Sequence, residues 1–392
     1  GRAVTGGGAE AGRGRGIPRI AEQEPVLLRI PGPATITRFG AVIVNAALAS
    51  GGATSRVALD PDEHGACDKL RAPEDLSWRG PPHESDPGVD EVLVLSQPWG
   101  HTAFHFIAEC LPKLILALPE LQANEAMLVH VPLSTDLRYC AERAMTEEYL
   151  SVFGIPPERL VSGEILARGA AWIVSPTRCA IAQAPLIRHL RTFLRPALLH
   201  PSAQEGIQEA LEASDAALSL PPSEGGAREQ PIVLLVVRGG LTRRLCEQDT
   251  ARIRQGVARA GGVLVKYDAS AGLAPNAVLH LFARAGGIVA PHGAGLANLV
   301  AARAGAHVLE FHPSDPTRAS SGLFGINLCN MHIAQTLGLR YTGALMHPRA
   351  AGEGEVGEEW CVDDGVVERW VELLAAGWRD EVMRGHQRGA DG

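Results

Sequence analysis

Short unbroken apolar runs at 91–95 (EVLVL), 127–131, 171–174, 232–237 (IVLLVV), 262–266, 287–290 and 307–311 predict buried strands. Between them the apolar positions switch to helical spacing. Phe104, Ile107, Leu111, Leu114, Ile115 and Leu118 mark one long helix, and further helices are predicted at 136–153, 183–199, 248–260, 277–285 and 295–302. A last stripe of Val367, Trp370, Val371, Leu374 and Trp378 predicts a closing helix. Short apolar strands separated by helices belong to an α/β fold with a mostly parallel sheet covered on both faces. From residue 232 the strand–helix alternation repeats several times, as in a Rossmann-like half.

Breakers divide this pattern. Residues 1–20 are rich in Gly and Arg and predict disorder, and 51–90 read as loop, with Gly51-Gly52 and Pro81-Pro82 as punctuation. Residues 200–230 run from a polar helical piece into LSLPPSEGGAREQP, the composition of a linker. With 392 residues the chain exceeds what one core usually holds. The domain reading is a disordered segment at 1–20, an N-terminal α/β domain at 21–200, a linker at 201–230, a Rossmann-like domain at 231–350, and a closing helix and tail at 351–392.

Composition narrows the function classes. Apolar residues make up 46% and charged residues 20%, which is globular. A net charge of -8 argues against nucleic acid as a partner. The longest apolar runs, such as 41–49, are too short to span a bilayer. Only Lys69, Lys113 and Lys266 are lysines among 36 basic residues, so arginine is the default cation here and a single Arg is weak evidence of a special role. Seven scattered cysteines without a CxxC pair argue against a zinc ribbon or a thioredoxin-type site.

Four segments carry candidate chemistry. His101, His105 and Glu109 are spaced i, i+4, i+8 on the long helix, beside its apolar stripe, and Pro112 should loosen the helix just after them. Glu109 or His105 could serve as a general base; the bland alternatives are exposed helix polars or, from His101 and His105, a metal pair. Pro291-His292-Gly293-Ala294-Gly295-Leu296 follows a predicted strand and opens a helix, a turn suited to an anion such as a diphosphate. Arg238, at the end of strand 232–237, and Arg243 stand where ligands of open α/β sheets sit. Glu310, a carboxylate inside the apolar strand HVLEF, needs a partner, either an internal cation or ribose hydroxyls. The Asp60-Pro-Asp62 stretch reads as a loop rather than a metal motif, since no β-α unit precedes it. A hydrolase with residues 292–295 as an oxyanion turn lacks a nucleophile, because no G-x-S-x-G elbow occurs.

Taken together these segments resemble the glycosyltransferase family 61 domain, the DUF563-type domain of plant xylosyl- and arabinosyltransferases and of O-linked GlcNAc transferases of the secretory pathway. The resemblance rests on His105-Phe-Ile-Ala-Glu109-Cys-Leu-Pro112, Phe153-Gly154-Ile155, Arg238 with Arg243, His292-Gly-Ala-Gly-Leu296 followed by Val308-Leu-Glu310, and 330–341 (NMHIAQTLGLRY), and it covers residues 90–345. It implies a GT-B fold, two Rossmann-like domains facing a central cleft. It also implies an inverting transferase that moves xylose, N-acetylglucosamine or arabinose from a UDP-sugar to a hydroxyl of a glycan or glycoprotein. The C-terminal domain would bind the donor through Arg238, Arg243, His292, Gly293, Ala294, Gly295 and Glu310, with Glu310 on the ribose. The N-terminal domain would bind the acceptor, with Glu109 or His105 as base. No obligatory metal or other cofactor is implied beyond the UDP-sugar co-substrate. Residence in the Golgi or endoplasmic reticulum lumen is implied by the family's eukaryotic members only, with a membrane anchor outside this chain compatible with it. The alternative is a catalytically inactive GT-B-fold protein that binds glycans or nucleotides.

Overall fold

The computed structural model describes residues 24–37, 40–47, 54–59, 88–97, 99–132, 140–175, 182–198, 230–237, 244–268, 273–314, 327–348 and 359–390. The predicted disordered segment, Asp60 and Asp62, the linker up to residue 229, and both Arg238 and Arg243 lie outside these residues.

The fold is mixed α/β, with two sheets and helices between and beside them. The first sheet contains β1 (Val26–Pro31), β2 (Ala34–Ile36), β3 (Val42–Ala47), β4 (Thr54–Leu59), β5 (Val89–Val94), β6 (Leu128–His130), β7 (Leu160–Val161) and β8 (Ile165–Ser175). Its order is β4-β3-β2-β8-β5-β6-β7, with β1 paired to the other end of β8. Strands β8, β5, β6 and β7 run parallel, while β1 to β4 pair antiparallel. This corrects two expectations. The 51–90 region holds a strand, β4, and the first sheet is mixed rather than mostly parallel. In β1 (VLLRIP) three apolar residues are followed by Arg29, and Val26 and Leu28 are exposed while Leu27 packs on the core, so the run is too short to mark a strand covered on both faces.

The second sheet contains β9 (Ile232–Val237), β10 (Arg244–Leu245), β11 (Val263–Asp268), β12 (Ala285–Pro291), β13 (His307–Pro313), β14 (Arg340–Pro348) and β15 (Glu359–Val362). The parallel run β11-β9-β12-β13-β14 is the 2-1-3-4-5 winding of open α/β sheets, with its switch point between β9 and β12. Strand β12 is buried at every position, as a parallel strand covered on both faces must be. Strand β15 pairs antiparallel with β14, and β10 closes the edge beside it. A disulfide, Cys246–Cys361, ties the residue after β10 to β15. Cys110 and Cys329 are free and buried.

Helix α1 runs Ala103–His105, opens into a π turn at Phe106–Cys110 and continues as regular helix over Leu111–Ala123. Pro112 sits at the start of the regular part, where its missing N–H is least costly, and the widened turn absorbs the break. Gly100 lets the preceding loop close on this turn: a Cβ there would stand 2.7 Å from Cys110 Sγ and 2.8 Å from Pro132 Cγ. The other helices are α2 (Cys140–Ser151), α3 (Ala184–Leu198), α4 (Glu247–Arg259), α5 (Pro275–Arg284), a 3-10 helix (Ala294–Ala301), α6 (Cys329–Thr336) and α7 (Val366–Ala390). The predicted stripe on α7 packs with α4 over one face of the second sheet through Trp370, Leu374 and Trp378. Gly256 of α4 lies so close to Val371 that a Cβ would meet its methyl at 2.7 Å.

A single apolar cluster joins the two halves. It contains Leu93 and Val129 of the first sheet, Ile288 and Val308 of the second, and Phe106, Leu111, Ile187, Phe282, Leu299 and Ile333 from the helices between them. Among the described residues no helix is long and apolar enough to cross a membrane.

Candidate functional site

The π turn of α1 packs against the 3-10 helix that follows the 292–293 turn, so the two predicted constellations become neighbours. On the α1 side, His105 Nδ1–H donates to Glu109 Oε2 at 3.0 Å. The imidazole is 21% exposed and the carboxylate 2%. With its Nδ1 proton committed to Glu109, neutral His105 carries its lone pair on Nε2. Gln97, just beyond the end of β5, donates its amide N–H to the same Glu109 oxygen. Lys113 Nζ donates to Gln97 Oε1 at 2.6 Å and so fixes which way that amide points. Lys113 is 1% exposed, a cation in the core joined to a carboxylate through an amide bridge. The other carboxylate oxygen, Glu109 Oε1, is buried with no partner among the described residues. A buried acceptor left open in this way marks a functional group or a site for a donor.

His101 lies before the helix, not on it. Burial, then the nearby His105, holds its imidazole below the usual histidine range. Beside it stands Trp99, 39% exposed and held at φ 61°, with its ring centroid 6.1 Å from the His101 ring.

On the other side, His292 Nδ1–H donates to Glu310 Oε1 at 2.6 Å, and Asn330 Nδ2 donates to the same oxygen at 2.7 Å. Tyr341 O–H donates to Glu310 Oε2 at 2.6 Å, and His312 Nε2–H donates to the Tyr341 oxygen at 2.9 Å. Burial pushes Glu310 upward, but the bond and charge of His292, with help from His312 and Tyr341, outweigh it and hold the carboxyl below its ordinary range. Burial and Glu310 push the Tyr341 phenol up. As in the first pair, the carboxylate is sealed and the imidazole reaches out: His292 is 15% exposed and Glu310 0%.

Gly293 is extended, at φ 171°, so any residue could adopt its backbone and only its lack of a side chain is special. The helix after it is 3-10, not α, and its Leu296 N–H donates to Gly293 O at 3.2 Å. Asn298 Nδ2 donates to Gly295 O at 3.1 Å, and Tyr149 of α2 donates to Asn298 Oδ1 at 2.5 Å. The first half of the chain thus braces the turn of the second. The Cys329 thiol registers both constellations: burial pushes it up to about 12, and the charges of Glu310 and Glu109 act in the same direction.

Two groups among the described residues have metal-ligating donors within 4.8 Å of one another. Cys246, Asp249 and Cys361 form one, but its cysteines are joined in the disulfide. His292, Glu310 and His312 form the other, a two-histidine, one-carboxylate set. Binding an ion there requires breaking the His292–Glu310 hydrogen bond.

Sequence reasoning located Glu109, His105, His292 and Glu310 but not what holds them. Lys113 had a signal, since it stands four residues after Glu109 on an apolar helix. Gln97 stands at the carboxyl end of a strand, where sites of α/β sheets gather. Asn330 and Tyr341 fall inside the 330–341 segment that entered only through resemblance, and His312 two residues after Glu310 points to the same face of β13.

A cavity of about 870 Å³ opens beyond the carboxyl ends of β9, β11 and β12, lined there by Val237, Asp268 and Pro291. It is of the size that holds a small-molecule ligand, at the switch point where open sheets bind them. Its wall reaches Pro291, the residue before His292. No family model matches this chain, and no curated protein matches it in sequence.

Proposed function

We propose that the chain is an inverting glycosyltransferase with a GT-B-like arrangement of two Rossmann-like halves. It moves a sugar of the xylose, N-acetylglucosamine or arabinose class from a UDP-sugar to a hydroxyl of a glycan or glycoprotein. The observation that carries this reading is a pair of solvent-reaching histidines, each backed by a sealed carboxylate, together with a cavity at the switch point of a 2-1-3-4-5 sheet whose wall reaches the residue before His292. A histidine oriented by a buried carboxylate is the arrangement of a general base.

His105 Nε2 takes the proton of the acceptor hydroxyl, and Glu109 orients the ring and stabilises the imidazolium. The acceptor oxygen forms its bond to the anomeric carbon from the face opposite the leaving group. The bond from that carbon to the diphosphate oxygen breaks and its electron pair leaves with UDP. His292 and the N–H groups after Gly293, joined by Arg238 and Arg243, offset the charge that develops on the diphosphate. His105 rather than Glu109 is the base in this reading, because of the two only the imidazole is open to an acceptor.

The test is incubation with UDP-xylose, UDP-N-acetylglucosamine and UDP-arabinose together with a panel of glycan acceptors, with the product anomer read by NMR. Transfer with inverted configuration supports the proposal, and retained configuration refutes it. Selective UDP binding without transfer to any acceptor would favour the inactive, ligand-binding alternative.

A further inference from the structure

The cavity beyond β9, β11 and β12 is not a simple anion pocket. Its described lining carries the cations Arg244, Arg254 and Lys266 and the anions Glu247, Asp268 and Glu359. Arg244 and Glu359 stand 3.4 Å apart, so part of this charge is already matched. The first turn of α4, where many nucleotide-binding folds seat a phosphate, is occupied by its own acids, Glu247 and Asp249. Side-chain anions there compensate the helix end and disfavour a phosphate. The balanced, hydroxyl-compatible wall instead suits an uncharged polar ligand portion.

Asp268 marks where that portion lies. It ends β11, the second strand of the winding, on the same face as Lys266, and both line the cavity. In doubly wound nucleotide-binding sheets, an acid at the end of the second strand accepts hydrogen bonds from ribose hydroxyls. Glu310, the sequence-derived candidate for that role, is completely buried and does not line this cavity.

We propose that this cavity takes the ribonucleoside half of the donor, with the ribose diol on Asp268 and the diphosphate running outward past Pro291 to the His292 turn. The assignment rests on the glycosyltransferase reading and adds to it a polarity for the donor and a residue that selects ribose over deoxyribose.

The test is calorimetric titration of the whole chain with UDP and with 2'-deoxy-UDP, for wild type, Asp268→Ala and Asp268→Asn, with thermal melting to check that each variant folds. Loss of a hydrogen bond to a charged group corresponds to roughly a 10- to 100-fold change in affinity. Wild type should therefore prefer UDP by about that factor, and Asp268→Ala should bind the two nucleotides alike. The asparagine variant, which still accepts one hydrogen bond, should keep an intermediate preference. A preference unchanged in Asp268→Ala, or equal binding of both nucleotides by wild type, overturns the Asp268 assignment and leaves the glycosyltransferase reading standing. Failure of wild type to bind UDP at all overturns both.

Discussion

Replacing Glu109 by glutamine separates chemistry from architecture. The amide is isosteric, and its oxygen can take the place of Oε2 as acceptor for His105 Nδ1–H and for Gln97. Its nitrogen falls where Oε1 has no partner among the described residues, so no hydrogen bond seen there is broken. What disappears is the charge. His105 loses the anion that orients it and stabilises its imidazolium, which should lower kcat for transfer by about 10⁴, as when the carboxylate behind a catalytic histidine is made an amide. Lys113 loses the carboxylate it meets through Gln97. The two charges are bridged by the Gln97 amide rather than paired directly, so the loss is that of a hydrogen bond to a charged group, about 1.5–3 kcal/mol. Urea unfolding reads the stability term, and initial rates at saturating donor read kcat. The Glu109→Gln, Lys113→Met double variant should recover part of the lost stability, because both buried charges are gone, yet recover no transfer. UDP affinity should stay at the wild-type value, since Glu109 lies on α1 and does not line the cavity. Transfer by Glu109→Gln within a few-fold of wild type would remove the His105–Glu109 pair from the mechanism. Strictly additive stability losses in the double variant would refute the Lys113 bridge.

Further outcomes follow from the second cluster and the edge of the sheet. Tyr341→Phe removes a hydrogen bond to the Glu310 carboxylate and should cost about 1.5–3 kcal/mol near neutral pH in urea unfolding. Because Glu310 is held below its ordinary range, its contribution is present above the unfolded carboxylate pKa and lost as pH falls through the folded one. The gap between wild type and Tyr341→Phe should therefore narrow below about pH 4, and a gap constant with pH would contradict the network. Transfer should survive EDTA; a loss restored by zinc would instead turn His292, Glu310 and His312 into ligands. Cys361→Ser should lower stability by about 2–4 kcal/mol, as expected for a disulfide closing a long loop. Equal melting temperatures of wild type with and without reductant would show that the bond contributes nothing.

How much of this was legible in the chain depended on the range of the interactions. Strands β9, β12 and β13 announce themselves, because strands covered on both faces must be apolar throughout. The antiparallel strands β1 to β4 do not: in β1 the charged Arg29 interrupts VLLRIP, and the exposed Val26 and Leu28 leave no polar–apolar alternation to read. The His105–Glu109 pair was readable from its four-residue spacing, which survives the π turn, whereas His101 falls outside because the helix begins only at Ala103. The Glu310 network was not readable: its partners lie 18, 20 and 31 residues away and meet only when β12, β13, α6 and β14 assemble. The same holds for Gln97, whose role depends on a lysine 16 residues on and in the next element.

Titration of the whole chain with UDP, with GDP and CMP as controls, tests the central claim most directly. The account predicts that UDP binds and that the controls bind much more weakly. Absence of binding by any of the three nucleotides, or equal binding of all three, would contradict a UDP-sugar site at the switch point of the second sheet.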